Sequence, residues 1–139
     1  MRASTPHEGL TARRLPPDRE AFVALHHGHY LSYARLHLPA PAAEAVVGAV
    51  FDHLFRCWRR FLSSPNPASH AWCLLTDRIR DEADRPCPAL SPAQYDAYAL
   101  HHLLGYQPAD VATAMGEEED TVRFLLRSPG VRGLLTGPP

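Results

Sequence analysis

The sequence predicts an all-α protein in which a three-helix unit is followed, after a short link, by a helix-turn-helix unit. Three observations predict it. Apolar residues recur at three- and four-residue steps along several successive stretches, the spacing of one helix face. Nowhere do apolar and polar residues alternate as they do along a strand. The segment Leu90 to Arg127 places Ala112 and Gly116 four apart, flanks them with Val111 and Met115, and sets Val122 six residues beyond the glycine. A small residue lets two helices approach, a glycine takes the turn, and apolar residues seal the pair.

Each element has its own signal. Pro16 and Pro17 punctuate the entry to a first helix over about 18–38, with Phe22, Leu25, His29, Tyr33 and Leu36 along one face. Pro39 and Pro41 break it. A second helix over about 42–62 carries the strongest amphipathic stripe: Val46, Val47, Val50, Phe51, Leu54, Trp58 and Phe61. Asn66 is placed as the N-cap, and Pro67 as the first residue, of a third helix to about 83, which buries Trp72, Leu75 and Ile79. Ser91-Pro92-Ala93-Gln94 is a capping-box start. Gly105 is the expected C-cap of that helix. Pro108 opens the next helix, Gly116 turns it, and a last helix runs over about 120–128. The chain therefore divides into a tail at 1–17, a helical domain at 18–85, a link at 86–90, a helix-turn-helix domain at 91–128 and a frayed tail at 129–139.

Composition narrows the function. The formal net charge of −1 over 139 residues offers no global attraction to nucleic acid. Cys57, Cys73 and Cys87 are odd in number and match neither a disulfide framework nor a CxxC metal motif. Cys57 and Cys73 fall on or near apolar faces, where inert buried thiols are the default. No apolar run reaches the roughly 18 residues of a membrane span, and residues 1–17 lack the apolar core of a signal peptide. These features point to a cytoplasmic protein. Among nine histidines, His26 and His29 have the spacing for two metal ligands on one helix face, but no Cys or acidic partner is placed with them, so no metal is expected. No Ser/His/Asp order, phosphate loop or paired-carboxylate site is present, so neither an enzyme nor a cofactor is expected.

Residues 20–128 resemble the small extracytoplasmic-function sigma factors of RNA polymerase, in the sigma-70 family. Ala43-Glu44-Ala45-Val46-Val47-Gly48-Ala49-Val50-Phe51, followed by Trp58 and Phe61, stands where that family has AEDVVQEVF and an aromatic-rich segment. Ala71-Trp72-Cys73-Leu74-Leu75 matches its AWL-type helix. Leu90 to Leu126 matches the second half, with its GLS, EIA, LGIS and GTVRSRL blocks. The resemblance implies a region 2-like domain that grips polymerase and a region 4-like helix-turn-helix that reads promoter DNA. The implied partners are polymerase core and DNA. Thr121, Arg123 and Arg127 would then contact DNA from a helix in the major groove.

Four departures from the family's pattern bear on whether this chain still does so. Ala45, Gly48 and Ala49 replace acidic or amide side chains on the polymerase-gripping helix, leaving a small, smooth surface. Residues 77–85 hold four acids against three arginines, and phosphate contact is the largest sequence-independent part of DNA affinity. Residues 91–139 hold six acids against Arg123, Arg127 and Arg132, a net charge of −3, with Glu117, Glu118, Glu119 and Asp120 consecutive at the start of the recognition helix. Phe124 and Leu125 stand where the family has Ser and Arg. Such an apolar pair marks a partner surface, or else Phe124 packs on Val131 and Leu134. Last, the five residues from Pro86 to Leu90 span under roughly 20 Å, against more than ~34 Å between promoter elements over one helical turn apart. A compact, docked pair of halves is expected.

Two functions follow. One is a diverged sigma-factor-like transcription regulator. The other is a sigma-like interaction module or homodimer with little or no DNA binding, which uses Ala45, Gly48, Ala49, Phe124 and Leu125.

Overall fold

The computed structural model describes residues 15–83 and 87–136, and every regular element among them is helical. Helix α1 spans Pro17–His37, α2 Ala40–Arg56, α3 Trp58–Leu62 and α4 Pro67–Glu82. Helix α5, Pro92–Tyr98, continues through a π-helical turn at Ala99–Leu103; α6 is Pro108–Met115, α7 Glu119–Leu126 and α8 Pro129–Thr136.

The local signals produce the expected ends. Asn66 Oδ1 accepts from the Ser69 amide at the start of α4, with Pro67 in the first turn. Ser91 and Gln94 form the reciprocal capping box of α5. Gly116 closes α6 in the left-handed region at φ 72°. Gly105 is also left-handed, at φ 81°, and the Tyr106 amide reaches back six residues to the Leu100 carbonyl, one further than in a Schellman stop, after the π-helical turn.

Several expectations need correction. The second helix is not continuous to residue 62, because the backbone breaks at Cys57 (φ −121°, ψ 36°) and α3 restarts at Trp58. The buried face of α1 is His26, Tyr30, Tyr33 and Ala34, whereas Leu25 and Leu36 point to solvent. Cys73 is exposed and Cys57 half-buried, so neither thiol is a core residue. Residues 129–136 are not a frayed tail but helix α8, which sets Val131 into the interior. A Cβ on Gly130 would come within 2.7 Å of Leu90 Cδ2, so α8 lies close over the start of α5. Of the tail expected at 1–17, residues 1–14 lie outside the described residues, as do residues 84–86, only the last of which belongs to the link expected at 86–90, and residues 137–139.

One core runs through both halves. Tyr30, Tyr33, Phe51, Leu54, Trp58, Phe61 and Trp72 from the first half are continuous with Leu100, Val111, Met115 and Val122 from the second. Helix α6 packs on α4 and touches α1, while α5 packs on α7. The docked pair expected from the short link is the arrangement found.

Candidate functional site

The joint between the halves is built around one carboxylate. Asp96 lies on the buried side of α5 and is 3% exposed. Its Oδ1 accepts from the Tyr33 hydroxyl at 2.5 Å, and its Oδ2 accepts from Trp72 Nε1 at 3.0 Å. The Arg80 guanidinium stands 3.7 Å away. Two accepting oxygens are the pattern of an ionised carboxylate. Burial nevertheless pushes the Asp96 carboxyl above the usual range, and Tyr33, Trp72 and Arg80 pull it only part of the way back. Burial, then the Asp96 charge, drives the Tyr33 hydroxyl upward as well.

Three further bonds cross the joint. His37 Nε2 pairs with the Tyr95 hydroxyl at 2.8 Å, Tyr106 donates to Ser32 Oγ at 3.0 Å, and Asn66 Nδ2 donates to the Gly116 carbonyl at 2.7 Å. Gly116 thus serves twice. It takes the left-handed turn, and its bare Cα lets α6 meet the start of α4, where a Cβ would fall 2.1 Å from the Ser69 nitrogen.

The residues expected to meet a partner lie on two separate surfaces. On α2, Ala45 and Gly48 are exposed and Ala49 is half-buried. Gly48 opens onto a cavity of about 260 Å³ between α1 and α2, with Val23, Leu31, Val47, Phe51 and Phe55 in its walls and Glu44 and Asp52 among its lining. On α7, Asp120, Arg123, Phe124 and Arg127 fall at i, i+3, i+4 and i+7, which places them on one face. Arg123 is held by Glu119 through two bonds, at 2.9 and 2.5 Å, so its charge is already matched. Thr121 and Arg127 are exposed. Phe124 is 69% exposed, so the alternative of packing on Val131 and Leu134 is not realised. Leu125 is half-buried and packs against the core. In the segment 77–85, Arg80 pairs with Asp77 at 3.6 Å and with Asp96, while Arg78 is exposed.

No helix among the described residues is long and apolar enough to cross a membrane. No group of three or more His, Cys, Asp or Glu among them is arranged to hold a metal ion. No family model matches the sequence, and no curated protein or solved structure matches it either.

Sequence reasoning missed Asp96 as a site residue. Its signal was a carboxylate at helical spacing from Ala93, Ala99 and Leu100, a charge placed on an apolar stripe.

Proposed function

We propose that this protein is a sigma-factor-like transcription regulator that works as one closed body through protein contacts. The carrying observation is the shared core: Asp96 and Gly116 fasten the helix-turn-helix half onto the three-helix half. Polymerase core is the partner the sequence resemblance names, and the small-residue face of α2 at Ala45, Gly48 and Ala49 is the surface for it. Promoter reading by Thr121, Arg123 and Arg127 is the weaker part of the sigma role. Glu119 matches the charge of Arg123, and Glu117, Glu118 and Asp120 meet a duplex with like charge. The setting this reading implies is the cytoplasm, with neither catalysis nor a cofactor.

The test is retention of polymerase core on the immobilised protein, run beside a promoter-DNA shift assay at low salt, where electrostatics are most favourable. The reading expects core to be retained, Gly48→Glu to release it, and DNA to remain unbound. Binding of neither core nor DNA would refute it.

A second reading is a protein-interaction module outside transcription. It is favoured by Phe124, a large apolar side chain left open on the helix that would otherwise face DNA.

A further inference from the structure

Two surfaces carry opposite charges that no ion pair among the described residues matches. At the entry to α7 and along its first turn, Glu117, Glu118 and Asp120 are exposed and make no ion pair among the described residues. Asp120 shares a face with the exposed Phe124. At the corner between α2 and α3, Arg56, Arg59 and Arg60 are likewise exposed and unpaired among the described residues. Beside them Leu62 is 49% exposed. A fourth guanidinium, Arg19, lies over the Phe55 and Trp58 rings at 5.9 and 5.8 Å and lines the same open cavity of about 320 Å³.

We propose that these patches bind each other between copies, the α7 face of one protomer docking on the α2–α3 corner of a second. This rests on the second reading above, in which α7 meets protein. Three free carboxylates face three free guanidiniums, and arginine–carboxylate pairs are the stronger, directional kind of ion pair. Phe124 and Leu62 supply apolar area beside the charges, while the charges set register and encounter rate. A nucleic-acid occupant does not suit the α7 face, because Glu117, Glu118 and Asp120 outnumber Arg127 among its unpaired charges there. The two patches are unlike, so each contact leaves one of each free, and assembly grows with concentration unless two contacts close a ring.

Light scattering on the eluting full-length protein tests this. At about 0.05 M salt the weight-average mass rises with concentration to at least about twice the 15.4 kDa of one chain, and at about 0.5 M it falls back. R59E/R60E and E117R/E118R each stay monomeric at low salt with unchanged helicity by circular dichroism. Combining all four substitutions in one chain restores association, because both patches change sign together. A monomer at every concentration in low salt overturns the proposal, as does low-salt association that persists in R59E/R60E alone or in E117R/E118R alone. A monomer that also ignores DNA sinks only the second copy as occupant; a monomer that binds a duplex at the same salt sinks the protein-facing reading with it.

Discussion

The two halves of this molecule are held together by different means. The first half has an aromatic interior: Phe22 packs edge-on against Phe51, Trp58 and Phe61, and Tyr30 stacks on Phe51. The second half relies on small aliphatic residues, with Ala97, Ala99, Ala112 and Ala114 beside Leu100, Val111 and Val122. A unit of four short helices with so little apolar volume is near the size below which a domain rarely folds alone. The first half supplies the surface the second lacks, and the polar contacts at the joint fix how they meet. The second half is not built as an independent unit. Here it is one side of a common core.

The largest effect should come from removing the carboxylate. Asp96→Ala strands the Tyr33 hydroxyl and the Trp72 N–H in the interior, and each buried unsatisfied group costs about 1–3 kcal/mol. Urea unfolding should show a loss of roughly 2–5 kcal/mol. A loss near zero would mean that the joint contributes nothing to stability.

Acid should weaken the first half through His26. Burial, and then His29, hold its imidazole down from 6.5 to about 4. The folded state therefore prefers the neutral ring. Its contribution is complete above the unfolded value and is lost as pH falls from about 6.5 toward 4, roughly 3 kcal/mol in all. His26→Leu should flatten that part of the profile, and thermal unfolding of both proteins at about pH 7 and pH 4.5 reads the difference.

Gly116 probes the joint from its other side. Ala there costs about 1–2 kcal/mol for the left-handed backbone alone, and the clash with Ser69 adds to it. Substitution at Gly105, equally left-handed but with open space around a Cβ, should cost only the backbone part. A smaller loss at Gly116 than at Gly105 would deny the close approach of α6 to α4.

The finest comparison is between two tyrosines one helical turn apart. Tyr33→Phe removes a donor to a buried carboxylate, worth about 1.5–3 kcal/mol. Tyr30 is equally buried, but its hydroxyl has no hydrogen-bond partner among the described residues, so Tyr30→Phe should be close to neutral. Equal losses in the two variants would show that ring packing, and not the bond to Asp96, is being measured.

Much of this fold was legible in the sequence wherever a cap or a turn carried the signal. Asn66-Pro67, Ser91 with Gln94, and Gly116 each mark an end that the backbone obeys. The stripe of α2 was readable because Val, Phe and Leu carry it. That of α1 was not, since His26 and Tyr30 carry the buried face while Leu25 and Leu36 face water. Hydrophobicity alone points to the wrong side of that helix. Helix α8 was hidden by the turn-like Ser128-Pro129-Gly130, although Ser128 Oγ accepts from the Val131 amide at 3.4 Å. That is the same polar-residue-then-proline start as Asn66-Pro67. The exposure of the α7 side chains was only partly legible: Phe124 is open, while Leu125 is half-buried against the core. The role of Asp96 depends on side chains 63 and 24 residues away, and no local pattern announces such a pairing.

Native-state hydrogen exchange along a urea series tests the shared core most directly. If the halves are one body, the amides of Val111 to Met115 in α6 open with the same free energy as those of Val46 to Leu54 in α2, and Asp96→Ala lowers both together. Exchange of α5 to α7 through a cheaper opening that leaves α1 and α2 protected would contradict it, and would return the helix-turn-helix to the status of a separate domain.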